Sequence, residues 1–172
     1  MKKLKYILIG LLLIFGISTF YSQDIEKEVD DFTGDTIWTL KSSNLSGGSF
    51  FGKTHCNLTL VYYSNKTLFM KLQTVTPTIF SIKQALLGAS LFIKTDIKIN
   101  ELLDNGQNSF ENGKDFSISR AVYVVSFDLI KEIIDSKEPK VRIKSIDETY
   151  LDFYFGEDNL KEYKKFYKKF NK

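Results

Sequence analysis

His55-Cys-Asn-Leu-Thr-Leu-Val-Tyr-Tyr63, Ser64-Asn-Lys66 and Thr67-Leu-Phe-Met-Lys-Leu-Gln-Thr-Val75 make up the stretch that decides the fold. Two β-rich runs flank three turn-forming residues, the signature of a hairpin. Side chains alternate faces along a strand, so the loop must set apolar residues opposite apolar ones. A three-residue loop places Tyr62 opposite Leu68, Leu60 opposite Met70 and Leu58 opposite Leu72. A two-residue loop would set Leu60 against Lys71, so the odd loop is predicted.

The same test runs outward along the chain. Upstream, Asp35 to Lys41 reads as a first strand, and Ser42 to Lys53 as a Gly/Ser loop. Downstream, Ala89 to Lys94 and Ile97 to Leu103 read as a second hairpin around Lys94–Asp96, with Ile93 opposite Ile97 and Leu91 opposite Ile99. A polar loop, Asp104 to Asp115, precedes the strand Phe116 to Val125. A third hairpin turns at Asp147-Glu148-Thr149, setting Ile143 opposite Phe153 and Val141 opposite Phe155. Its other face then carries Lys144 beside Asp152 and Arg142 beside Tyr154, an ion pair and a cation–π contact.

Two helices are legible, both late. Ser126 is a good N-cap with Asp128 in the first turn, and Phe127, Ile130, Ile133 and Ile134 form an apolar stripe that ends before Pro139. After Gly156, Leu160, Tyr163, Phe166, Tyr167 and Phe170 recur at helical spacing, with lysines filling the other side. Leu160, Tyr163, Tyr167 and Phe170 are expected to bury against the sheet of the final strands. The predicted fold is α+β, a mainly antiparallel sheet of about eight strands with one helix after strand six and one at the C-terminus.

The N-terminus assigns a location. Lys2, Lys3 and Lys5 precede the apolar run Tyr6 to Phe15, and small residues Gly16, Ser18 and Ser22 follow, the pattern of a secretory signal peptide. The run is shorter than the roughly 20 apolar residues that span a bilayer. Residues 1–22 are therefore expected to be cleaved after Ser22, leaving 23–172 as a single globular domain. Membrane contact is expected only through residues 6–20 before cleavage, with periplasmic, outer-envelope or extracellular residence afterwards. The chain carries net charge +3. Lys2, Lys3 and Lys5 supply three positive charges and segment 1–22 holds no acid, so the mature chain is neutral. A neutral domain has no global field for nucleic acid, and none is expected as a partner. Cys56 is the only cysteine, so no intrachain disulfide staples the core.

Side-chain chemistry points away from conventional catalysis. His55 and Cys56 are neighbours on a strand and must face opposite ways, so the imidazole cannot take the thiol proton. One histidine excludes a multi-histidine zinc site, and no Gly-x-Ser-x-Gly elbow is present. Acids cluster at Asp30, Asp31 and Asp35, and at Asp147, Glu148 and Asp152, where a carboxylate pair could serve a glycosidase-like hydrolase. Asp104 to Asn108 with Glu111 and Asp115 lacks the Asp-x-Asp-x-Asp-Gly pattern of a calcium loop. Neither metal nor cofactor is expected.

The aromatic content remains. Tyr150, Asp152 and Tyr154 share one strand face, with Arg142 and Lys144 beside them. These five are the candidate binding residues, able to stack a sugar or a partner's side chains. A competing arrangement lays the C-terminal helix over this face, and it is favoured because the helix's aromatic stripe needs a sheet to lie on.

Asp30-Asp31-Phe32-Thr33-Gly34, the strand–helix–strand–strand block from Val122 to Phe155, and the export signal ending before Gln23 together resemble uncharacterised small exported proteins of Bacteroidota with an Asp-Phe-Thr-Gly start. That resemblance implies export and no particular activity. Asp35-Thr36-Ile37 is similar to the acceptor tripeptide of the O-glycosylation system of those bacteria. The expected function is an exported, non-catalytic binding or interaction domain, with an unknown protein or glycan partner in the envelope. The alternatives are the carboxylate hydrolase and an envelope-associated structural protein held by an uncleaved N-terminal anchor.

Overall fold

The computed structural model describes residues 25–41, 44–47, 54–77, 89–144 and 150–171. The predicted signal peptide lies outside the described residues. The central hairpin joins β4 (His55–Tyr63) to β5 (Leu68–Pro77), with Leu58 opposite Leu72, Leu60 opposite Met70 and Tyr62 opposite Leu68. This is the register that parity predicted. Lys66 takes the left-handed conformation at φ 70, and the Asn65 side chain accepts from Thr67 N at 2.9 Å.

On one side β4 pairs with β2 (Thr36–Leu40), which pairs with β1 (Ile25–Val29). On the other, β5 pairs with β9 (Phe116–Val124), which pairs with β8 (Ser109–Asn112). A second sheet runs in the order β3 (Ser46–Gly47), β11 (Tyr150–Tyr154), β10 (Lys140–Lys144), β6 (Ala89–Lys94) and β7 (Ile99–Leu103). Every named pairing is antiparallel. Two helices accompany the sheets, α1 (Phe127–Asp135) and α2 (Glu157–Phe170). The fold is α+β.

Inward-facing residues of both sheets meet both helices in one buried cluster. Leu58, Leu60 and Met70 come from the first sheet, Ile93, Ile143 and Phe153 from the second, Ile130 and Ile133 from α1, and Tyr163 and Phe166 from α2. Each fully buried aliphatic or aromatic side chain contributes roughly 1.5–3 kcal/mol. Bridges Leu45–Cys56 and Asp104–Tyr123 tie the sheets together, and the buried Ser90 and Tyr123 hydroxyls share a 2.7 Å hydrogen bond between β6 and β9.

Among the described residues there are eleven strands in two sheets, where about eight were expected. The three additions are β1, β3 and β8. All three are edge strands, β1 with four exposed residues of five, β8 with three of four and β3 with both. An edge with little to bury has no apolar alternation to read. β3 is only two residues long. α1 is capped as read, Ser126 Oγ accepting from Leu129 N at 3.2 Å, but it follows the ninth strand.

The β6–β7 hairpin departs from the predicted register. Lys94 pairs with Ile99 and Ile93 with Asn100, an odd shift that turns Ile97 and Ile99 outward, 74% and 61% exposed. Turn chemistry outweighs parity here. Thr95 Oγ1 accepts from Ile97 N and Lys98 N, while Asp96 N donates to Ser136 Oγ and Asp96 Oδ2 accepts from Lys137 N. The turn is thereby pinned to the end of α1.

Candidate functional site

The last two strands carry all five candidate binding residues, and their register differs from the expectation by two. Arg142 stands opposite Asp152, not Tyr154, and Lys144 opposite Tyr150, not Asp152. A shift of two conserves side-chain parity, so the faces were read correctly although the partners were not. Val141 meets Phe153 and Ile143 meets Leu151 on the buried side. The expected turn at Asp147–Thr149 lies outside the described residues.

The outer face of the second sheet is laid out in rows. One runs Tyr154, Lys140, Lys94, Ile99, and the next runs Asp152, Arg142, Phe92, Glu101. Arg142 grips Asp152 in bidentate fashion, Nε to Oδ1 at 2.6 Å and Nη2 to Oδ2 at 2.7 Å. This fork locks two side chains in one plane. The Arg142 guanidinium holds the Asp152 carboxyl below its ordinary range, against the opposing pull of burial. Asp152 in turn raises Arg142 further. An acid held ionised in this way is a poor proton donor, which counts against Asp152 as a glycosidase acid.

The tyrosines flank this pair. The Arg142 guanidinium carbon lies 5.5 Å from the Tyr150 ring centroid, and Lys140 Nζ lies 4.9 Å from that of Tyr154. Both are cation–π distances. The rings remain open to solvent, 51% and 42% exposed. A depression of about 400 Å³ lies among Phe92, Lys94, Glu101, Lys140, Arg142 and Tyr150.

The C-terminal helix leaves these tyrosines uncovered. α2 packs on the first sheet, with Phe170 against Trp38 and Tyr62 at 5.2 and 5.0 Å between ring centroids. Tyr163 packs against Phe155 at 5.5 Å and donates its hydroxyl to Leu58 O. The helix thus meets the first sheet and the buried side of the last strand's end, and the arrangement that laid it over the Tyr150 and Tyr154 face is corrected. Its stripe meets the Trp38–Tyr62 pair of β2 and β4 through Phe170.

The remaining candidates resolve into structural roles. Cys56 is fully buried and His55 exposed, on opposite faces of β4. Asp30 caps a turn, its Oδ1 accepting from Phe32 N and Thr33 N. Asp35 accepts from Ser64 Oγ at 2.6 Å. Asp104 is used by its own loop, its oxygens accepting from Gly106 N and Asn108 Nδ2. Asp147 and Glu148 lie outside the described residues.

Sequence reasoning missed Lys140, Phe92, Lys94, Ile99 and Glu101. Lys140 could have been found by extending the Lys144, Arg142 alternation one step. The others reach the face only because β6 pairs with β10, across some fifty residues of chain. A second, larger depression of about 710 Å³ lies on the outer face of the first sheet, lined by Asn57, Thr59, Lys71 and Gln73 among others. No aromatic ring lines it, and two of its cations are engaged, Lys41 with Glu26 and Arg120 with Glu111. The smaller depression differs in having two aromatic rings, Phe92 and Tyr150, among five charged side chains. No protein-family model, no curated protein and no solved structure matches this chain.

Proposed function

We propose that residues 23–172 act outside the cytoplasm as a non-catalytic binding domain, and that the outer face of the second sheet is its recognition surface. The observation that carries this reading is the uncovered pair Tyr150 and Tyr154, each held by a cation beside the Arg142–Asp152 fork. Ordered aromatic side chains lose little further entropy on binding, and tyrosine supplies apolar area with a polar tip. The signal-peptide pattern supports residence in the envelope or beyond, in keeping with the exported Bacteroidota proteins that the Asp-Phe-Thr-Gly start resembles. The partner is a protein or glycan presented in that compartment.

The test is binding of the mature chain to immobilised envelope glycans and peptides, compared with a Tyr150→Ala/Tyr154→Ala double variant. Retention should weaken by at least about tenfold in the variant, the usual effect of removing aromatic anchors, while its thermal melt stays unchanged. Equal retention by both proteins would move the site to the first sheet's depression.

A further inference from the structure

Two surface features complement each other. The first is Phe32, at the tip of the β1–β2 hairpin, with its side chain wholly in solvent at 101% relative exposure. The turn fixes it in place. Asp30 Oδ1 accepts from Phe32 N and Thr33 N, both at 2.9 Å, and Gly34 N donates to Asp30 O at 2.7 Å. Gly34 makes the turn possible at φ 74. A phenylalanine ring in water, on a backbone held by the turn, costs solvation and contributes nothing to the core. Glu28, Asp30 and Asp31 lie within four residues of it along the chain, and none of them has a cation at ion-pair distance among the described residues.

The second is the recognition face itself. Lys94 and Lys140 stand directly opposite each other on neighbouring strands. Like charges in that position repel, a cost that a bound anion would remove. Neither lysine meets a carboxylate at ion-pair distance among the described residues; Asp152 is paired with Arg142, and Glu101 on the same face also stays beyond that distance. The neutral mature chain thus separates its charge into an acidic hairpin tip and a basic sheet face. Such separation steers association between copies without net repulsion.

We propose that the β1–β2 tip of one copy docks on the outer face of the second sheet of the next, with Phe32 seated against Phe92 and Tyr150 and Asp31 between Lys94 and Lys140. This rests on reading that face as a recognition surface, and it names the occupant as a second copy of the chain. The contact is heterologous, so copies add head to tail. One hairpin tip buries far less than the roughly 1,200 Å² of a stable complex, so the association is weak and depends on high local concentration.

The test is intermolecular paramagnetic relaxation. A mature chain with Lys27→Cys carries a spin label on β1 near the tip, since Cys56 is buried and unlabelled. It is mixed with unlabelled, ¹⁵N-enriched wild-type chain at roughly millimolar concentration, where contacts of this size are populated. The expected result is broadening of the Lys94, Lys140 and Tyr150 amides. It should fall about tenfold when the labelled chain also carries Phe32→Ser, and in roughly 0.5 M salt, where surface charge is screened. Asp31→Lys in the labelled chain should abolish it, and Lys94→Glu/Lys140→Glu in the receiving chain should restore it. Absence of broadening, or broadening centred on the β7 edge, overturns the proposal. If the glycan or peptide panel binds this face and copies do not, self-association is overturned and the recognition surface stands. If a carboxylated glycan binds there and Phe32→Ser changes nothing, the lysine pair serves that glycan and the proposal fails.

Discussion

At Gly47 an added Cβ would lie 2.6 Å from the Asp152 backbone oxygen and 3.0 Å from Phe153 Cα, with φ at +124. Both the space and the backbone conformation exclude a side chain, so this glycine sets how closely β3 approaches β11. Gly47→Ala should destabilise by about 2–3 kcal/mol in denaturant melts, combining strain with overlap. A change below about half a kcal/mol would mean that β3 detaches without consequence. Cys56 offers a second test at this scale. Burial pushes its thiol well above the ordinary 9.0, so the folded chain keeps the proton that the unfolded chain releases. Stability is therefore full below pH 9 and declines above it, by up to about 1.4 kcal/mol per pH unit. Tyr123, pushed up to about 12 by burial, adds to the decline above pH 10, and the wholly buried Tyr163 acts in the same direction. Melting temperatures between pH 7 and 11 should fall later for Cys56→Ala than for wild type, and identical profiles would remove Cys56 from the account.

Packing is unequal along helix α2. Tyr163 and Phe166 are fully buried, whereas Leu160, Tyr167 and Phe170 are only partly so. Tyr163→Ala and Phe166→Ala should each cost about 3–5 kcal/mol, and Phe170→Ala less, because Trp38 and Tyr62 can close over part of the space. Lys164→Ala and Lys168→Ala on the outer side should cost under about half a kcal/mol. Denaturant melts of the five variants give the order, and a lysine change exceeding Phe166→Ala would undock the helix. The stripe itself was legible, since periodicity is a local property of sequence, and so were the Ser126 cap and the β4–β5 register. The surface that the stripe covers was not legible, because it depends on which distant strands assemble beneath it. The β6–β7 and β10–β11 hairpins divide along the same line. In the second the apolar alternation runs on both sides, so parity held even with the partners displaced by two. In the first, Thr95 fixes the turn locally and Ser136, 40 residues from its partner Asp96, anchors it from afar, and parity was overruled. The candidate site was half legible for this reason. Arg142, Lys144, Tyr150, Asp152 and Tyr154 come from one local hairpin, while Phe92, Lys94 and Glu101 arrive by long-range pairing.

For the whole molecule, the decisive question is where the working chain begins. β1 opens at Ile25, and Ile25 packs against the core while Val29 closes the ladder opposite Thr36. Cleavage after Ser22 leaves Gln23 and Asp24 ahead of that strand, enough to keep its backbone pairing with β2 complete. Removal of Gln23 to Val29 would instead expose β2, whose Trp38 and Leu40 contribute to the core side of the first sheet. The acidic tip would lose its supporting strand as well, and the face opposite Lys94 and Lys140 would have no complement in a neighbouring copy. Intact-mass measurement of the protein recovered outside the cytoplasm should therefore give Gln23, or its cyclised form, as the first residue. Retention of Met1 to Lys5 would show the apolar run 6–20 still attached and turn the domain into a membrane-tethered one. In that state copies share a surface and their local concentration rises, so the weak head-to-tail contact would be favoured by tethering rather than abolished. The mass of the N-terminus thus separates a freely diffusing domain from an anchored one, and it does so without knowledge of any ligand.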